Sequence, residues 1–334
     1  MTAINLRYGL LLGSLILLTF CLCIGSLAAG YVDFSIQQLW GAVFASDESA
    51  IQLILLEIRL PRMILALLVG GSLGLSGAAL QGLLRNPLAE PGLIGVSAFG
   101  SLGAVIAIYT GLATIFPYAL PLLALGFSFT AVFLLHVLAG KSHSILTLIL
   151  AGVALSSLAS ALTSLALNLS SNPWAALEIV FWLMGSLTDR SMTHVEIAAP
   201  FILAGCMLLL LSGRALDGLS LGDDVAHSLG IHLTRTRLMI TVGTAACVGA
   251  ATAVTGAIGF VGLVVPHLLR PLVGGRPGRL LPVSLLGGAC FILLADIIVR
   301  EVLPGKDLKI GVITALVGVP FFLWLLMKER RKGR

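Results

Sequence analysis

Residues 238–269 read LMITVGTAACVGAATAVTGAIGFVGLVVPHLL, thirty-two residues without a formal charge. A spanning helix needs ~20 mostly apolar residues. The stretch is therefore one very long helix or two short ones joined at Thr255-Gly256. That choice sets the parity of the whole chain. Other charge-free stretches run 8–32, 63–84, 91–140, 197–213, 280–295 and 310–327, and 142–177 is interrupted only by His143. Pro117 and Pro121 divide the fifty residues of 91–140 into two spans. Asn168, Ser170, Ser171, Asn172 and Pro173 leave room for one span in 142–177. With two helices in 238–269 there are ten spans, and the termini share a side that carries fourteen of the Lys and Arg residues. The other side then holds six: Arg59, Arg62, Arg190, Arg300, Lys306 and Lys309. With one helix there the division is nine against eleven, which gives no orientation. The positive-inside rule selects ten helices with both ends in the cytoplasm.

Composition agrees with a polytopic membrane protein. Of 334 residues, 58% are hydrophobic and 10% charged, against ~25% charged in a soluble domain. So few charges exclude a soluble enzyme, and so much apolar surface excludes disorder. The formal charge of +5 follows the membrane: basic on the cytoplasmic side, slightly acidic outside. It implies no nucleic-acid partner. The first span, with Arg7 before a Leu-rich run and Ala28-Ala29 after it, has the outline of a signal peptide. Its twenty-five charge-free residues fit an uncleaved anchor better. Cys21, Cys23, Cys206, Cys247 and Cys290 lie in apolar runs without metal-ligand spacing, and read as packing residues.

Gly70, Gly74, Ala78 and Gly82 fall four apart and give one helix a smooth face. Gly256, Gly259 and Gly262 repeat at a spacing of three and suggest a second such face. Tight packing within the chain is expected of both. Ala139-Gly140-Lys141-Ser142 looks like the end of a phosphate-binding loop, but Leu135 stands where the loop needs glycine. The chain therefore has no nucleotide site. Asp296 is the single acid well inside an apolar run and lies four residues before Arg300, a spacing that suits a helical ion pair. One buried acid is thin support for an ion-coupled carrier. His267 has no companion ligands in sequence, so no metal site is expected there.

The loop after the sixth span, about 219–231, is different. Asp223 and Asp224 suit the start of a short helix. Leu221, Val225 and Leu229 form a stripe at spacing four, and Gly230 can end the helix. A lipid-surface helix is Lys/Arg-rich, so this one reads as made for a partner's groove.

Several motifs together carry a resemblance. They are Arg59-Leu-Pro-Arg62, Ser76-Gly-Ala-Ala-Leu-Gln-Gly82, Arg85-Asn-Pro-Leu-Ala-Glu-Pro-Gly-Leu-Ile-Gly95, Leu150-Ala-Gly-Val-Ala-Leu155 and Leu221–Gly230. Gly256-Ala-Ile-Gly-Phe-Val-Gly-Leu-Val-Val-Pro-His-Leu-Leu-Arg270, Leu281-Pro-Val-Ser284, Ala295-Asp296 and Gly311-Val-Ile-Thr-Ala315 complete the set. In this order they resemble the permease subunits of type II ABC importers for ferric siderophores, haem and cobalamin. The resemblance implies an all-α fold of ten transmembrane helices, one permease domain over 1–334. It implies a plasma-membrane (inner-membrane) homodimer, or a heterodimer of closely related chains, with two ATPase subunits beneath and a substrate-binding protein above. ATP and Mg would then be bound by the ATPase, with no cofactor on this chain. Leu221, Gly222, Asp223, Asp224, Ala226, Leu229 and Gly230 match the ATPase-coupling segment. Arg59, Arg62 and Arg300 match arginines that receive glutamates of the binding protein. Their alternative is local pairing: Arg59 or Arg62 with Glu57, and Arg300 with Asp296 or Glu301. Asn86, Pro87, Pro91 and Gly92 match a cytoplasmic loop near the ATPase. Ser144, Ile145, Leu146 and Thr147 match the region of the cytoplasmic gate. Residues 77–85 and 256–264 faintly echo one another, as in an inverted repeat. A ferric siderophore is the first expectation for cargo, with cobalamin and haem behind it.

Overall fold

The computed structural model describes residues 2–30, 41, 50–140, 145–302 and 308–332. Among them every regular element is helical. The main helices are α1 (Thr2–Ala28), α2 (Leu60–Leu83), α3 (Val96–Tyr109), α4 (Ala119–Ala139), α5 (Ile145–Leu169), α6 (Pro173–Leu183) and α7 (Met192–Leu211). They continue with α8 (Gly213–Leu219), α9 (Asp223–Ser228), α10 (Leu233–Thr255), α11 (Val261–Leu269), α12 (Pro277–Val302) and α13 (Ile310–Lys332). Among the described residues, seven helical stretches are long and apolar enough to cross a membrane, and 96–109, 173–183, 261–273 and 310–325 are shorter apolar helices.

The 238–269 stretch is two helices, α10 and α11, broken at 256–260. Gly256 makes the break possible. Its φ is +74°, and a Cβ there would come within 2.1 Å of the Trp182 carbonyl. The glycines expected to form a second face do not share one: Gly256 is in the connection, Gly259 has open space, and only Gly262, inside α11, packs against Pro91 and Leu73. The spacing of three was accidental because the chain is not helical between Gly256 and Phe260.

α2 is the central helix. It packs against α1, α7, α10, α11 and α12, and every residue from Val69 to Leu83 is buried. Its small residues explain how close the neighbours come. A Cβ on Gly70 would lie 2.3 Å from the Gly288 carbonyl of α12, one on Gly74 2.3 Å from that of Ser284, and one on Gly77 2.0 Å from that of Gly262. The smooth face thus serves packing inside the chain. Gln81 adds a polar tie: its amide donates to the Gly262 carbonyl at 3.2 Å and its oxygen accepts from Arg270 at 2.8 Å. α1 lies against α12, where Thr19 and Cys290 meet at 3.1 Å.

α6 was not anticipated. Asn172 and Pro173 close α5, but they also open the next helix: the Asn172 side chain accepts the Trp174 amide at 3.0 Å, and Pro173 occupies the first turn. Pro is favoured there because its missing N–H would be unpaired in any case.

Candidate functional site

The sequence-derived site residues fall at the two opposite ends of the bundle. At one end, Arg85, which precedes the 86–92 turn, meets α9. At the other, Arg59, Arg62 and Arg300 surround the end of α1.

At the arginine end, the local pairing with Glu57 is not what forms. Arg59 is buried and donates through Nη1 to the Leu27 and Ala28 carbonyls, both at 2.7 Å. Arg300 donates to the carbonyls of Ser26 at 2.8 Å and Ala29 at 3.0 Å, and to the Ser26 hydroxyl. The last carbonyls of a helix lack intrahelical donors and carry partial negative charge. Two guanidiniums from α2's start and α12's end therefore cap α1. Asp296, fully buried, lies 2.8 Å from Arg62 and 2.8 Å from Arg300. The expected Arg300–Asp296 pair is present, and Arg62 joins it from α2. A cavity of about 430 Å³ opens beside this cluster, lined by Arg59, Arg62, Arg300, Glu57, Asp189 and Arg190. Arg190 was seen in the sequence only as an outer charge. Its membership in the cluster depends on the turn at Asp189, whose φ is +57°.

At the other end, α9 begins at Asp223 and stops before Gly230, whose φ is +78°. Leu221 and Leu229 are 64% and 62% exposed, and Val225 is exposed as well. Ala226 is buried. The stripe therefore faces away from the bundle. The two aspartates differ. Asp223 is engaged within the chain, paired with Arg85 and 3.6 Å from Arg237, which ties α9 to the ends of α2 and α10. Among the described residues Asp224 makes no such contact, and it is exposed.

The 86–92 turn is built from local bonds. The Asn86 side chain accepts the Leu88 amide at 2.9 Å, and the Gly92 carbonyl accepts from Ser156 of α5 at 2.9 Å. Pro91 packs on Gly262. Glu90, which the sequence presents as a loop charge, turns inward instead. One carboxylate oxygen has no hydrogen-bond partner, and the other group facing it is the Phe260 backbone amide. They share a cavity of about 110 Å³ with Ser97 and the 257–262 break. Burial pushes the Glu90 carboxyl above its usual range, and the Phe260 hydrogen bond opposes this only in part. Of the expected gate residues, Ile145, Leu146 and Thr147 open α5, and Ser144 lies outside the described residues. Cys206 and Cys247 face one another across α7 and α10 with sulfurs 3.7 Å apart. Among the described residues no three His, Cys, Asp or Glu side chains are grouped to hold a metal.

An apolar helical body thus carries a short exposed helix at one end and an arginine cluster at the other, and comparison with known proteins places it among transport permeases, subunits distinct from the ATPase. Residues 15–328 match the model of the FecCD transport family, and the chain belongs to that family. It is 39% identical to the hemin transport system permease HmuU of Yersinia pestis, over 97% of both chains. It is 41% identical to the Fe(3+) dicitrate permease FecD of Escherichia coli, over 83% of this chain and 86% of that one. It is 37% identical to the molybdate permease MolB of Haemophilus influenzae, over 98% of each. A solved structure described as an inward-facing conformation of a metal-chelate type ABC transporter superposes with TM-score 0.85 at 35% identity, covering 95% of this chain and 98% of that chain.

Proposed function

We propose that the chain is the membrane permease of an ATP-driven importer for a metal chelate, a ferric siderophore first, with haem and cobalamin as the second reading. Ten spans place both termini in the cytoplasm: α1–α5, α7, α10–α13, with α6 as the short helix that does not cross. Two copies form the conducting dimer. Two ATPase subunits bind ATP and Mg on the α9 side, and a substrate-binding protein docks on the Arg59–Arg62–Arg300 side. The 86–92 turn and the start of α5 move with the ATPase contact.

One observation carries this reading: α9 holds itself to the bundle through Asp223 and leaves Leu221, Val225, Leu229 and Asp224 uncovered. An exposed apolar stripe on a charged helix is what a groove-binding helix requires. The cargo is inferred from relatives, and overall likeness cannot rank it. Hemin and molybdate permeases match about equally well. Relatives for ferric citrate and ferric enterobactin favour iron.

The test uses Asp224→Arg with Leu229→Glu. Insertion should be normal, while capture of the ATPase subunit and uptake of a radiolabelled ferric chelate should fall by at least ~10-fold, the equivalent of ~1.4 kcal/mol at the interface. Uptake at the wild-type rate would overturn the coupling assignment.

A further inference from the structure

We infer that the groove beside α9 holds the headgroup of an anionic phospholipid. The groove, about 1160 Å³, lies between the end of α7, α8, the start of α10 and residues 274–277, and its lining includes Leu221 and Leu229 beside α9. Arg214, Arg235 and Arg276 line it, and all three are exposed. Among the described residues none of the three guanidiniums has a hydrogen bond or ion pair. Asp217 stands in the same wall, but its carboxylate accepts the Gly278 amide at 2.8 Å, at the start of α12. The groove thus carries three guanidiniums against one carboxylate, a net positive wall, and a bound anion offsets the excess.

The second observation is apolar. Leu203, Met207 and Leu211 recur at spacing four along α7 and are 60%, 64% and 62% exposed. They mark a track of ~12 Å on one helix face. Leu211 also lines the groove, and Arg214 follows three residues later. An apolar strip that ends in a trio of cations is complementary to one acyl chain attached to a phosphodiester. Free phosphate would use only the cations. An acidic protein segment would leave the strip, which continues into a spanning helix, without a partner. The orientation proposed above enters only in naming the leaflet as the inner one.

The test is native mass spectrometry of the full-length permease, titrated with phosphatidylglycerol or phosphatidylcholine. Each surface arginine is worth about fivefold in affinity for an anionic lipid. R214Q/R235Q/R276Q should therefore hold phosphatidylglycerol on the order of 100-fold more weakly than wild type. Phosphatidylcholine should bind both chains alike. Met207→Gln with Leu211→Gln keeps the guanidiniums and should also lose phosphatidylglycerol. Retention unchanged in that variant but abolished by added inorganic phosphate means a free-anion site, and overturns the lipid assignment. Equal retention by wild type and the triple variant overturns it too. So does a triple variant that keeps the lipid yet no longer captures the ATPase subunit, which would give the groove to a protein. If the triple variant fails to insert, each single Gln variant is expected to weaken retention about fivefold. Leu229 lines the groove but Asp224 does not, so uptake by Asp224→Arg alone tests the coupling reading without touching the lipid site, and the two readings fail separately.

Discussion

Asp296 holds two guanidiniums, and sequence spacing named only one of them. Arg300 is four residues away, but Arg62 lies 234 residues distant. Removing one partner from a buried ion pair costs ~3–5 kcal/mol, because it strands the other charge. Asp296→Asn strands two, so its thermal midpoint in detergent should fall clearly. Adding Arg62→Gln to that variant should restore part of the loss, and strictly additive losses would show that the two groups are not linked. Glu90 gives a pH prediction. Its carboxyl lies above the usual range because burial disfavours the charged form. The stability it contributes is full below ~4.3, the unfolded value, and is lost as pH rises through the higher folded value. No other titratable side chain lines its cavity. Glu90→Gln should match wild type at low pH and exceed it as pH rises, read as thermal midpoint against pH. Parallel curves would contradict this.

At the scale of elements, the contact of α2 with α12 depends on the absence of side chains. Gly74→Ala would put a methyl 2.3 Å from the Ser284 carbonyl. Backbone must then move, at ~1–3 kcal/mol or more. Gly13→Ala in α1 meets nothing within 4 Å and should be neutral or slightly stabilising. Thermal melts of the two variants in one detergent compare them directly. This packing was legible in sequence, since glycines four apart on an apolar helix have few other uses. The break in 238–269 was legible through charge parity. The start of α9 at Asp223 was legible through its acidic first turn. α6 was not, because Asn172-Pro173 is both a stop signal and a start signal. Nor was the fate of Asp223. The sequence offers it to a partner protein, whereas folding offers it Arg85 first.

Considered whole, the molecule separates the α9 end from the arginine end with an apolar helical body. The purified chain alone should show no ATP hydrolysis above buffer, measured as phosphate release with and without its ATPase subunit. The arginine end also constrains the docking proposed above. Arg62 and Arg300 already share Asp296, and Arg59 already caps α1. Incoming glutamates would therefore have to exchange with existing acceptors. Sequence reading offered Arg300 the nearby Asp296, but it did not foresee Arg62 on the same carboxylate or Arg59 on the end of α1, because those contacts join chain segments far apart in number.

The short length of α11 has a consequence for biogenesis. At 1.5 Å per residue its nine residues extend ~14 Å, less than half of a ~30 Å hydrocarbon core. Such a segment partitions poorly by itself. Its seat is supplied by Gly77 and Gln81 of α2, which leave the ribosome long before it. α11 therefore enters the bilayer as a late guest of a helix already in place, and the synthesis order of the chain becomes part of its folding code.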